Sequence, residues 1–384
     1  MIVDLHAHYA MHLDPGIRGN VLALKRSDRT DLRWRDYLRA LGVNLASQFL
    51  NYPSLFSGPR IRAEWMAEGR VGVALSPLYS FFDEAECRAA SGTDNLEVLL
   101  RQATLVEDHI ADKHSAIAEV VHNPAQLSAA MAAKKVALVH AVEGGFHLLG
   151  DDPADVRSAV NRLADRGVAY ITLAHLIWRG IATGANAFPQ LSDAQYARYC
   201  KQPPVGLTSR GRAAVEAMVD RHVLIDVSHM STRAIDDTFR FLDELGAHVP
   251  VVATHSGYRI GSLEYNLEPR NVERIAASGG FVGLIFAKHQ LCDGLEGAGG
   301  KGIEGAVDVM SEHIERIRDV TGGFDHIALG SDFDGFIRPL DGLRDMRDMR
   351  PLQDELERRY PGQGEQICSG NALRPLLSYW RGHP

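Results

Sequence analysis

The chain has 384 residues, 45% hydrophobic and 23% charged, an ordinary globular composition with enough length for a large core. A net charge of −8 without a dense Lys/Arg block argues against a nucleic-acid partner. Four scattered cysteines without Cys-x-x-Cys spacing argue against a zinc ribbon, a redox motif or a disulfide framework. No run of about 18 apolar residues occurs, and Met1-Ile2-Val3-Asp4 carries no basic, apolar leader, so the expectation is a soluble cytoplasmic protein that does not span a membrane.

In chain order, strand-like runs fall at 2–7, 71–79, 136–142, 168–175, 223–229, 250–255, 280–286 and 326–332. They read as continuous Val/Ile/Leu stretches, the signature of buried parallel strands. Helix-period segments lie between most of them. Residues 95–118 carry Leu96, Leu99, Leu100, Ala103, Val106, Ile110 and Ile117 at helical spacing, and 153–166 place Val156, Val160, Leu163 and Ala164 on one face. Residues 208–221 open with Thr208 as an N-cap, 231–245 open with Ser231, and 305–320 carry Val307, Val309, Ile314 and Ile317. Strand–helix alternation repeated eight times predicts an α/β fold, a (β/α)8 TIM-type barrel. Such a barrel needs about 250 residues. The remainder is expected as insertions near 9–70, 176–207 and 287–304 and a tail from 336, helical near 351–384. No linker divides the chain, so 1–384 reads as one domain.

Chemistry in a parallel barrel collects at the strand C-terminal ends, and five of these runs end in metal-ligand residue types. His6 and His8 close the first; two apart on a strand, they face the same way and can share one metal. Glu143 closes the third, before Gly144-Gly145. A carboxylate has two oxygens and can bridge two cations, as two-metal hydrolytic sites need. His229 and His255 end consecutive strands and can hold the second metal. Singly, each of these histidines is as easily a structural core residue; the set is what points to ligation. Mixed imidazole and carboxylate donors suit Zn²⁺, with Mn²⁺, Fe²⁺ or Co²⁺ as alternatives. Asp332 ends the eighth strand, placed to act as the base and proton donor of a hydrolysis. Asp334 reads as a turn-former before Gly335. His175 ends the fourth strand and is not needed for either metal; it can polarise a scissile carbonyl. Arg259, four residues after His255, can grip a carboxylate or simply be solvated.

Together these motifs resemble the membrane (renal) dipeptidase family of metallopeptidases, within the amidohydrolase superfamily. The resemblance rests on His6-Ala7-His8, Val142-Glu143-Gly144-Gly145, Tyr170–His175, Gly206–Gly211, Leu224–His229, Thr254–Arg259, Arg270-Asn271, Gly330–Gly335 and Ser369–Arg374, in this order along nearly the whole chain. It implies two zinc ions bridged by Glu143, with His6 and residue 8 on one and His229 and His255 on the other. It also implies that His175 meets the substrate carbonyl, Arg259 the substrate carboxylate, and Asp332 handles protons and the substrate amine.

Three positions depart from the family pattern. Position 8 is His where the family usually has Asp, which makes the site one charge unit more positive. Phe146-His147 follow the two glycines, where the family often has His directly. Leu176-Ile177-Trp178-Arg179 replace an Asn-rich segment. The resemblance thus implies a metal-dependent dipeptidase acting on small dipeptides, including those with a C-terminal D-residue, and allows a homodimer. A hydrolase of the same superfamily acting on another amide, a lactone or a phosphoester is the alternative. A metal-binding barrel without activity is a third reading.

Overall fold

A computed structural model describes residues 1–13, 59–85, 92–148, 150, 152–297 and 300–382. Most of the insertion expected near 9–70 lies outside these residues. Nine parallel strands form: β1 Ile2–Asp4, β2 Val71–Leu78, β3 Ala118–Val121, β4 Val136–Glu143, β5 Tyr170–Thr172, β6 Leu224–Asp226, β7 Val251–Ser256, β8 Val282–Leu284 and β9 Ile327–Leu329. Eight of them pair in the order β1-β2-β4-β5-β6-β7-β8-β9. The ends meet through Leu5 N to Leu329 O at 3.0 Å, Asp332 N to His6 O at 2.8 Å and His8 N to Phe333 O at 3.1 Å. Buried Asp4 adds to this seam, its Oδ1 accepting from Ser331 N at 2.9 Å. The result is the nearly closed eight-stranded α/β barrel that the strand–helix alternation predicts.

The barrel is filled, not hollow. Val3, Leu5, Val73, Leu75, Ala137, Val139, Ala141, Ala169, Leu224 and Val252 pack together inside it, from alternate positions on their strands. The intervening residues, such as Leu138 and Val142, face the outer helices. Those helices start where the sequence has caps. Thr208 Oγ1 accepts from Gly211 N ahead of Ser209–Arg221, Ser231 caps Thr232–Leu245, and Asp152 makes a capping box on Pro153–Asp165. Two C-terminal helices, Met349–Arg359 and Asn371–Ser378, pack beside it. No described helix is long and apolar enough to cross a membrane.

One difference from the sequence reading is β3. The helix expected over 95–118 spans Gly92–Lys113, and the chain turns at 114–117 into β3, which lies off the barrel path and pairs only with β4. The apolar residues at 117–121 fit either a helical or a strand period, and pairing with the rim of β4 decides for a strand.

Candidate metal centre at the barrel mouth

Glu143 is the hub. It ends β4, is buried, and Gly144 beyond it has a φ of +90°, a backbone that L side chains rarely adopt. That turn releases the chain from the sheet directly after the carboxylate. Four histidines point their Nε2 atoms at Glu143 Oε1: His6 at 3.2 Å, His255 at 3.4 Å, and His175 and His229 at 3.5 Å. His8 Nε2 lies 3.5 Å from Oε2 and 3.2 Å from His6 Nε2. Asp332 Oδ1 is 3.2 Å from His8 Nε2 and 3.8 Å from His6 Nε2.

These separations suit metal ligation. Donors about 2.0–2.1 Å from a tetrahedral ion stand roughly 3.3–3.4 Å from one another. Around Glu143 the donor separations of 3.2–3.5 Å are close to that spacing, and in two groups, His6–His8–Glu143 and Glu143–His175–His229, the donor atoms all lie within 4.8 Å of one another. His255 Nε2 is buried without a hydrogen bond, although Glu143 is 3.4 Å away, so its lone pair is free for a cation.

Three of the five far ring nitrogens are held by neighbours. His6 Nδ1 bonds Tyr170 Oη at 2.8 Å, and that hydroxyl donates onward to Leu5 O at 3.0 Å. His255 Nδ1 bonds Thr254 Oγ1 at 2.9 Å, and Thr254 donates to Asp226 Oδ2 at 2.7 Å. His175 Nδ1 bonds Glu84 Oε2 at 2.6 Å. A hydroxyl already donating elsewhere must accept from the imidazole. That fixes the proton of His6 and His255 on Nδ1 and leaves Nε2 as the ligand atom. Sequence reasoning missed Glu84, Tyr170, Thr254 and Asp226. The last three are polar residues inside strand runs, and a buried polar side chain is an informative oddity. Glu84, on the short helix Phe81–Ala85 after β2, carries no such signal.

Burial and neighbouring charge set the protonation of the centre. Burial works against the Glu143 carboxylate, but His175 and His6 reverse this and hold it well below the usual carboxylate range. Burial would also lower His175, yet Glu143 and Glu84 together push it up to about 9. His229 falls to about 3 through burial and the adjacent His175. Burial raises Asp332.

Strand-end backbone aims several of these groups. His229 and Asp332 have φ of 63° and 55°, in the left-handed region that non-glycine residues seldom occupy. Such strain persists where the surroundings impose it, and it clusters at working sites. Gly335 is required by close approach, since a Cβ there would stand 1.7 Å from Asp332 Oδ1 and 2.9 Å from His8 Nε2. Asp334 is buried with a φ of 65° and accepts from His12 Nε2 at 2.6 Å and Arg60 N at 2.9 Å, so it fastens the loop.

The centre opens into a cavity of about 250 Å³, lined by His8, Glu143, His175, His229 and Asp332 together with Tyr79, Tyr265, Lys288, Phe336 and Arg338 among others. Arg259 is not part of this lining. Its guanidinium donates to Glu268 Oε1 at 2.7 Å, Thr232 Oγ1 at 3.0 Å, Glu264 O at 2.9 Å and Asn266 O at 2.9 Å.

Fold and site together describe an α/β barrel with a candidate binuclear metal centre at its mouth. The family model described as "Membrane dipeptidase (Peptidase family M19)" matches residues 44–378, and the chain belongs to that family of metallopeptidases. His6 and His8 precede the matched residues, so their place in the set rests on the His-x-His spacing and on the geometry. Among curated relatives, an uncharacterized dipeptidase, C965.12, of Schizosaccharomyces pombe is 30% identical over 64% of this chain and 53% of its own length. Dipeptidase 3 of Rattus norvegicus is 29% identical over 63% of this chain and 44% of its own length. The chain spans about half the length of the curated relatives it matches. A Rhodobacter sphaeroides metallopeptidase, solved with a phosphinate mimic of the dipeptide L-Ala-D-Ala, superposes with a TM-score of 0.71 at 20% identity, covering 99% of each chain. A structure titled dipeptidase AC gives 0.69 at 20% identity, covering 99% of this chain and 98% of its own. At such identity these two speak to the fold.

Proposed function

We propose that this protein is a metal-dependent dipeptidase that hydrolyses small dipeptides, including substrates with a D-residue at the C-terminal position, using two zinc-class ions. The observation that carries this reading is the convergence of four imidazole Nε2 atoms on Glu143 Oε1, with His8 Nε2 beside Oε2 and Asp332 beside His8, next to a small cavity. Family membership and the phosphinate-bound relative support the substrate class.

His6 and His8 would hold one ion, His229 and His255 the other, with Glu143 between them. When bound, such ions polarise a carbonyl and lower the pKa of water. The chain's own groups handle the rest. Asp332, inside the cavity wall and pushed up by burial, accepts a proton and returns it to the departing amine. His175 keeps a proton on Nε2 while its Nδ1–H donates to Glu84, so Nε2–H can donate toward the developing oxyanion. Burial of the whole cluster excludes bulk water and strengthens each of these interactions.

The runner-up, another amide, lactone or phosphoester, gains weight from Arg259, whose guanidinium is engaged by Glu268 and lies outside the cavity lining. A dipeptide library with L- and D-residues at the C-terminal position, set beside matched dipeptide amides and lactones, separates the two. Hydrolysis of dipeptides with little turnover of lactones is expected, together with close to two transition-metal ions per chain by elemental analysis. Trace metal with no activation by Zn²⁺, Mn²⁺ or Co²⁺ would overturn the reading.

A further inference from the structure

A second cluster of ligand-type side chains sits on the opposite face of the strand that carries Glu143. His140 alternates with the barrel-filling Val139 and Ala141, so it faces the outer helices. It is fully buried there. Glu107, on the helix Gly92–Lys113, puts its Oε1 3.1 Å from His140 Nε2 and 3.9 Å from the Nε2 of His122, the residue after β3. The three ligand atoms all lie within 4.8 Å of one another.

Two of these residues, His122 and Glu107, have their remaining polar atoms held as metal ligands do. His122 Nδ1 is 3.1 Å from Arg166 O and can only donate to it, because a carbonyl has no proton. Neutral His122 therefore turns the lone pair of Nε2 toward Glu107 Oε1. Two electron-rich atoms facing each other need a cation or a proton between them. Arg166 holds the other carboxylate oxygen, Oε2, at 2.6 Å, and Oε1 is left to the two imidazoles, with His140 Nε2 at hydrogen-bond distance, 3.1 Å. A ligating histidine that gives its second N–H to a carbonyl, and a ligating carboxylate held by a further bond, are recurring supports of metal sites. His140 Nδ1 is buried without a partner, as are His8 Nδ1 and His229 Nδ1 in the main centre. The His122 and Glu107 side chains are 29% and 22% exposed, so an ion has an entry path and room for water as a further ligand.

We infer that His122, His140 and Glu107 form a separate site for a divalent ion of the zinc class. The two imidazoles and one carboxylate favour Zn²⁺ or Co²⁺ over the oxygen-seeking Ca²⁺ and Mg²⁺. The ion clamps β3, β4 and the helix Gly92–Lys113 together behind Glu143. This site stands apart from the barrel mouth and does not depend on the dipeptidase reading.

The test counts ions in the full-length chain. Metal-stripped wild type and His122→Ala, each also in a Glu143→Gln background, are titrated with Zn²⁺ by calorimetry and with Co²⁺ by visible absorption. One equivalent fewer in His122→Ala than in its parent, in both backgrounds, is expected, with the Zn²⁺-induced rise in melting temperature reduced by the same change. Glu107→Gln should reproduce the loss and serves if His122→Ala does not fold. Equal stoichiometry and equal thermal shifts in parent and folded variant overturn the inference, and mean that a proton rather than a metal bridges the cluster.

Discussion

Asp332 Oδ1 lies 3.2 Å from His8 Nε2, across the seam where β9 meets β1. The two residues come from opposite ends of the chain, so closing the barrel is what assembles this part of the centre. Asp332→Asn keeps the size and one oxygen but cannot carry a proton between water and amine. Folding and metal content should be retained, while kcat falls by about 10²–10⁴-fold, the usual range for general acid–base catalysis. Steady-state kinetics alongside elemental analysis check this, and an unchanged kcat removes Asp332 from the chemistry.

Glu84 is expected to matter through His175. Its carboxylate also accepts from Tyr79 Oη at 2.7 Å and Ile177 N at 2.8 Å, so it is fixed before it meets the imidazole. Glu84→Gln retains an acceptor but loses the charge. Activity should drop on the order of 10–100-fold, the range for partners that orient site histidines. The loss should appear in kcat more than in KM, and Glu84→Asp should recover part of it. Equal kinetics in wild type and Glu84→Gln would leave His175 to be oriented by packing alone.

Arg259 offers a clean discrimination. Three of its bonds hold the loop after β7 together, and the fourth ties that loop to Thr232, at the start of the helix that precedes β7. Arg259→Ala should therefore lower the melting temperature and reduce kcat/KM by a similar factor for free dipeptides and for their amides. A loss of roughly 30-fold or more confined to free dipeptides would instead show Arg259 gripping the carboxylate, since stranding a buried charge costs about 2–5 kcal/mol.

The metal-free protein should lose stability as pH rises from about 7.5 to 9. His175 stands at about 9 in the folded chain against 6.5 in a model peptide, and Glu143 also raises His255 against the effect of burial. A raised folded pKa contributes stability that is complete below the unfolded value and disappears as pH passes the folded one. Histidines held neutral by burial, such as His229, no longer distinguish the two states in this window. Thermal melts of stripped protein across the range measure the slope. Glu84→Gln should shift it to lower pH, because one of the two carboxylates that raise His175 is gone.

The barrel was legible because most of its strands are apolar runs, and the candidate ligands stood out because several of those runs stop at a histidine or carboxylate. Periodicity could not reveal β3, whose residues also satisfy a helical spacing until β4 claims them. Glu84 was invisible for a different reason: its partners, Tyr79, His175 and Ile177, meet it only after β2 and β5 have been laid side by side with β4 between them. Arg259 shows the limit from the other side. A guanidinium four residues past His255 suits a substrate carboxylate, while in the fold it meets Glu268, nine residues further on, a pairing that spacing alone does not reveal.

β4 has neighbours along most of both edges. β2 pairs with it from Ala137 to Val142, while β3 covers the start of its other edge and β5 the end. Its amides should therefore exchange with solvent among the slowest in the chain, opening only when the barrel itself comes apart. Glu143 rides on that segment. The loops around the mouth can breathe without displacing the carboxylate at the hub of the candidate metal centre, so the centre is anchored in the part of the molecule expected to yield last.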